Sequence, residues 1–284
     1  MTPGFHRHPN GGGLVADTAH VDDTAYVGEY CVVYDQAKVI QNAEIRGLAR
    51  ITGNAIIAGN AKVKDDAHVS EDALVTDDAV VSDAARVYGN SKILDHVKIS
   101  NNARVSGQTV ASGKVEISGN SRVSDSRISD FVKIYGDSDV SGAIVSEHAQ
   151  VFGRSCVLIS RIQGQARIYD NAGVGNALTA SYSFNCHLEH FYECASAESF
   201  ITVERVAPYE LGTTIITENA CIYGDAQISE SAQISGSANV YGNVQVSGTA
   251  HISGSAHISG DIIISEGNFN KANDLVNLKN LTLN

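Results

Sequence analysis

Along most of the chain, one hydrophobic and polar phrase repeats every six residues: small, variable, aliphatic, variable, turn, turn. It reads AHVDDT from Ala19, AYVGEY from Ala25, CVVYDQ from Cys31 and AKVIQN from Ala37, and continues through ARVYGN at Ala85 and ARVSGQ at Ala103. From Val21 to Val105 the aliphatic position is Val or Ile at every step; Ala111 is the one lapse and Ile117 restores the pattern. Residues two apart on a strand share a face, so Ala19 and Val21 are predicted inside and His20 and Asp22 outside. The Gly, Asn and Asp that follow tolerate left-handed backbone angles. Each phrase is therefore one short strand and one corner. Three such sides close a triangular coil of about eighteen residues, and stacked coils pair their strands in parallel at about 4.8 Å per coil.

Shortened, five-residue phrases support three sides per coil. They begin at Ser121, Ser138, Ser155 and Ala172, so the same corner is trimmed every seventeen residues. The phrase breaks off over 177–213, resumes as TIITEN at Thr214 and runs to Ile264. The predicted organisation is a tail over 1–12, a β-helix over 13–176, a loop insertion over 177–213, a second β-helical stretch over 214–267 and a C-terminal cap over 268–284. About twelve coils are expected. Residues 1–12 are read as loose or as a short cover. Phe269, Leu275, Leu278 and Leu281 have near-helical spacing in the cap.

Composition agrees with narrow stacked coils. Of 284 residues, 26 are Gly and 3 Pro; Trp is absent and aromatics make up 6%. No stretch approaches ~20 apolar residues, so no membrane helix is expected. The start of the chain carries no apolar signal core, which makes the cytoplasm the default location. A net charge of −12 disfavours nucleic acid and anionic membranes as partners. The five cysteines show no paired spacing, which suits a reducing compartment.

The phrase resembles the hexapeptide-repeat (isoleucine-patch) superfamily over residues 13–267 apart from the break. The A-x-V-x-G-N flavour and the opening GGGLVADTAHVDDTAYVG look most like a bacterial branch of acetyltransferases of the YdcK type. The resemblance implies an all-β, single-stranded left-handed parallel β-helix, a trimeric assembly, and acyl transfer from acyl-CoA with a histidine as general base. An obvious counterpart of the usual histidine motif is missing, and fold does not carry function with it.

The insertion holds Cys186, His187, Glu189, His190 and Cys194 within nine residues. His187 or His190 could take a proton from an acceptor hydroxyl or amine, oriented by Glu189 or Glu193. Acetyl-CoA would then be the co-substrate, with no resident cofactor. Reading C-H-x-x-H-x-x-x-C as a metal site would draw four ligands from one short segment, whereas structural zinc pairs ligands from two elements; no metal is expected. The plainer alternative is that the loop packs its aromatics on one face and its histidines are solvated.

Two outward columns stand out. Arg50, His68, Arg86, Arg104 and Arg122 fall in register, and stacked like charges repel. Either each arginine leans to a corner acid such as Glu71, Asp72 or Asp125, or the column is a track for phosphate or an acidic glycan. Tyr34 and Tyr88 share this face. The second column, Ile56, Leu74, Val110 and Ile144 flanked by Ile40, Ala58 and Leu94, is the most apolar. Self-association as a trimer or dimer is expected through its Ile56/Leu74/Leu94 part, unless the insertion or the tail covers it. Tyr223 and Tyr241 are read as ladder packing. His20, His96 and His148 are read as surface positions without a local carboxylate partner, and His251 and His257 as solvent positions on different faces. Two functions stay open: an acyltransferase acting on an unidentified hydroxyl or amine acceptor, a small molecule or a glycan, or a non-enzymatic scaffold or binding module that uses its flat faces.

Overall fold

The computed structural model describes residues 4–175, 214–270 and the strand Thr282–Leu283. The described residues are all-β, with no helix among them, and make about 12 turns of a parallel β-solenoid. The chain divides into two units, Met1–Phe152 and Gly153–Asn284.

In the first unit three parallel sheets form three faces. The first face stacks Val32–Val33, Arg50–Ile51, His68–Val69, Arg86–Val87, Arg104–Ser106, Arg122–Ser124 and Asp139–Ser141. The second carries Lys38–Val39, Ile56–Ile57, Leu74–Val75, Lys92–Ile93, Val110–Ala111, Arg127–Ile128 and Ile144–Val145. The third carries Glu44–Ile45, Lys62–Val63, Val80–Val81, Lys98–Ile99, Glu116–Ile117, Lys133–Ile134 and Gln150–Val151. Register is conserved at every step, for example Arg86 beside Arg104 and Val87 beside Val105.

The small and aliphatic positions point inward as the pattern requires. Ala49, Ile51, Ala67, Val69, Ala85, Val87, Ala103 and Val105 are fully buried. Burying one such aliphatic side chain is worth roughly 1.5–3 kcal/mol. Ala111, the lapse, is buried as well. Where the small position is polar, its hydroxyl is satisfied by the preceding corner. Ser91 Oγ donates to Tyr88 O at 2.6 Å, Thr109 Oγ1 to Ser106 O at 2.7 Å and Ser121 Oγ to Ser118 O at 2.8 Å.

The first of the two corner residues takes a left-handed angle, whether Gly (Gly53, φ 66°; Gly89, φ 72°) or an acid or amide (Asp35, φ 61°; Glu71, φ 60°; Asn101, φ 58°). Acids at this position do more than tolerate the angle. The Asp35 carboxylate accepts from the backbone N–H of Gly53 at 3.0 Å, Glu71 from Gly89 at 3.0 Å and Asp95 from Gly113 at 2.8 Å, each one coil further on. An ionised acceptor strengthens such a bond. This accounts for acids gathering at corners and for part of the negative charge.

Residues near the start form an antiparallel hairpin. Phe5–Arg7 pairs with Leu14–Ala16, and buried His8 places Nε2 3.1 Å from Ala25 O.

In the second unit, Cys156–Leu158 pairs with Gly173–Gly175 at a spacing of seventeen. Thr214–Ile216 then pairs with Ser160–Ile162, so Ile216 lies beside Ile162 at a separation of 54 (216 − 162). Subtracting the trimmed spacing of 17 leaves 37, the length of 177–213, so the insertion leaves the register untouched. Asp170 accepts from Gly224 N at 3.4 Å across it in sequence, as corner acids do elsewhere. Phe269, read from its spacing as part of a helix-like cap, instead lies in the strand Asn268–Phe269 beside His251–Ile252. Leu275, Leu278 and Leu281 lie outside the described residues.

Candidate anion-binding face

On the first face, strand pairing places Arg50, His68, Arg86, Arg104 and Arg122 side by side in one outward column. Adjacent members sit about 4.8 Å apart at the backbone, the parallel strand spacing. Arg50, Arg86 and Arg104 are exposed; His68 and Arg122 are half-buried. The column ends in apolar Val32 below Arg50 and in half-buried Asp139 beside Arg122.

The proposed pairing of these arginines with corner acids is not what the structure contains. Glu71 accepts from Gly89 N, Asp72 from Asn54 Nδ2 at 2.8 Å and Asp125 from Gln108 N at 2.9 Å. Among the described residues, no ion pair joins Arg50, Arg86, Arg104 or Arg122 to a carboxylate. These three acids are hydrogen-bonded to backbone N–H groups and a side-chain amide rather than to the guanidiniums, and only Arg122 has a carboxylate, Asp139, beside it in register.

His68 adjusts to this surrounding. Its Nε2 lies 3.2 Å from Thr52 Oγ1. Burial first, then Arg86 and Arg50, push its imidazole below the usual histidine range. Burial pushes the Asp139 carboxyl up, and Arg122 opposes that shift.

Two residues on from each of these positions, where the backbone ladder still continues, lies a second column, Thr52, Ser70, Tyr88, Ser106 and Ser124, on the same face. Thr52 is taken by His68, and Ser124 Oγ donates to Ser141 Oγ at 2.9 Å. The hydroxyls of Ser70, Tyr88 and Ser106 have no side-chain partner among the described residues. Pattern reading placed Tyr34 and Tyr88 here but passed over the serines and Asp139.

On the second face the apolar strip is interrupted in register. Leu74 pairs with Lys92, Lys92 with Val110 and Val110 with Arg127. Ile40, Ile56, Leu74, Leu94, Val110 and Ile144 are half-buried and Ala58 is buried. On the third face acids stand beside bases, and Val80 separates Lys62 from Lys98. Glu44 meets Arg46 at 2.8 Å and Lys62 at 3.6 Å, and Lys133 meets Glu116 at 3.1 Å.

Two histidines read as lacking carboxylate partners do have them. His20 Nε2 is 3.0 Å from Asp22 Oδ1, and His96 Nδ1 is 3.5 Å from Asp78 Oδ2, one coil earlier. His148 stacks on Phe131 at 4.8 Å. In the second unit Tyr169, Tyr223 and Tyr241 stack face to face at 4.9 and 4.8 Å, spending their ring faces on one another.

His187, Glu189, His190, Glu193, Cys186 and Cys194 lie outside the described residues. Among the described residues no group of three or more His, Cys, Asp or Glu could hold a metal ion, and no helix is long and apolar enough to cross a membrane. No family model and no curated protein matches the chain.

Proposed function

We propose that the protein is a β-solenoid binding module that holds an extended anionic ligand along its first face. One observation carries this reading: four guanidiniums and an imidazole stand in register on successive strands, while the corner carboxylates of Glu71, Asp72 and Asp125 are hydrogen-bonded elsewhere. Adjacent unit charges at about 4 Å repel by about 1 kcal/mol even in water. A column that costs stability and sits in a chain of net charge −12 is explained by a ligand that neutralises it. Calorimetric titration with polygalacturonate and with linear polyphosphate tests it. Binding that weakens as salt rises is expected; no binding of either polyanion at low salt overturns it.

A second reading, acyl transfer in the manner of hexapeptide-repeat acetyltransferases of the YdcK type, draws support from the insertion. A 37-residue excursion at one corner, with the register kept on both sides, is an economical place for added chemistry. His187 or His190 would be the base, Glu189 its orienting partner and acetyl-CoA the donor. Calorimetry with acetyl-CoA, repeated with His187→Ala and His190→Ala, tests this. Binding with turnover lost in one variant is expected, and no binding at millimolar acetyl-CoA removes it. Assembly through the Ile56/Leu74/Leu94 part of the second face belongs to the same proposal, and sedimentation of Leu74→Glu tests it.

A further inference from the structure

The anion-binding reading can be carried to a ligand class and a ligand length, and both rest on that reading. We infer that the first face selects a linear acidic oligosaccharide of about five sugars, with Asp139 marking where its charges must end.

The class follows from the two columns together. A ligand that offers only anionic oxygens, such as polyphosphate, accepts from a hydroxyl but has nothing to donate to it. Here the cationic column is accompanied, two residues on from its members, by Ser70, Tyr88 and Ser106, whose hydroxyls are uncommitted among the described residues. The columns run in parallel about 7 Å apart, twice the strand rise per residue. A hydroxyl both donates and accepts. It therefore complements a group that does the same, and sugar hydroxyls are that group. A uronate chain presents carboxylates and hydroxyls along its length. Its carboxylates meet Arg86, Arg104 and Arg122 as charge-assisted hydrogen bonds, and its hydroxyls meet the second column.

The length follows from the ends. The five positions of the column, four guanidiniums and the His68 imidazole, span four strand steps, about 19 Å. Beyond Arg122 the register places Asp139, and before Arg50 it places Val32. A chain that overruns Arg122 sets its next carboxylate against a carboxylate. A chain that overruns Arg50 meets an aliphatic side chain with nothing to pair. Asp139 is half-buried beside Arg122 without a close ion pair to it, so it is placed to repel a further anion.

The test is a calorimetric series on the full chain with galacturonate oligomers of about two to eight sugars and polyphosphates of matched charge. Affinity for the uronates should climb with length until the ligand fills the five positions and then level off. The triple variant Ser70→Ala, Tyr88→Phe, Ser106→Ala should weaken the uronates by about tenfold or more and weaken polyphosphate clearly less. Asp139→Arg should move the plateau to a longer oligomer; Asp139→Asn, isosteric and safe for folding, should move it the same way with a smaller gain. Equal loss of both ligands in the triple variant overturns the ligand class. A plateau that stays in place in both Asp139 variants overturns the stop. Absence of binding by either polyanion overturns instead the anion-binding reading beneath.

Discussion

The first and third faces of the first unit are built on the same coils from the same phrase, yet their outward charges are arranged oppositely. On the third face Glu44 sits between Arg46 and Lys62, and Glu116 pairs with Lys133. On the first face, Arg86, Arg104 and Arg122 follow one another with no acid between them. Parallel in-register strands leave no freedom here, because each outward residue must lie beside its counterpart one coil on. Charge pattern along the sequence therefore becomes charge pattern along the face. The third face is what stability alone produces. The first departs from it at a cost that stability does not explain.

Breaking what the faces share has the largest effect. Ile99, fully buried beneath the third face, should lose about 2–5 kcal/mol on replacement by Ala, as should any lining isoleucine regardless of the face above it. Urea denaturation measures this. An effect under about 1 kcal/mol would mean that the lining does not hold the coils.

Reversing one charge breaks the contrast itself. Arg104→Glu gives the first face an acid between two bases, as Glu116 has between Lys98 and Lys133 on the third. Polyanion affinity should fall by about tenfold or more, while the melting temperature rises by about 1–3 °C. A fall in both would make the column structural. The mirror change, Glu44→Lys, removes two ion pairs from the third face and should cost about 1 kcal/mol or less, since exposed pairs contribute little.

Titration sharpens the comparison with smaller effects. His68 is held below the usual histidine range, so the unfolded chain takes up its proton first as pH falls. Its contribution to stability is complete above the unfolded pKa of about 6.5 and is lost as pH drops from there through the folded value. A bound polyanion favours the imidazolium, so affinity should rise over the same window and His68→Gln should flatten that rise. Glu44 is held below the usual carboxylate range by its hydrogen bond from Arg46 first, then by the charge of Lys62. The stability it adds is present above the unfolded pKa and is lost as pH falls through the depressed one. At this exposure a few tenths of a kcal/mol is expected, read as the difference between wild type and Glu44→Gln in acid.

The fold was legible because its signal is redundant. Val or Ile recurs at one position while Gly, Asn or Asp recurs two positions on, and the seventeen-residue trimming gives the number of sides. The face columns followed from the same arithmetic. What escaped were partnerships made across coils with the backbone. The carboxylate of Asp35 serves the N–H of Gly53, eighteen residues away, and nothing in either residue type announces that bond. With the corner acids thus spent, the expected pairing of Arg86 or Arg104 with them failed. His96 and Asp78 show the same blindness, being neighbours only after a full coil. Asp139 lay in register at a shortened phrase, but a reading for like charges stops where the charge changes sign. The register on either side of 177–213 was legible; the chemistry of that stretch lies outside the described residues.

The most direct measurement sets the two faces against each other with equal loss of charge. Arg86→Gln with Arg104→Gln neutralises two positions on the first face; Lys62→Gln with Lys133→Gln neutralises two on the third. Titrated with polygalacturonate at several salt concentrations, the first double variant should lose most of the affinity and about two units of salt slope, by analogy with counterion release from nucleic acids. The second should keep both. Equal losses from the two faces, or none from either, would contradict the claim that the first face is the binding surface.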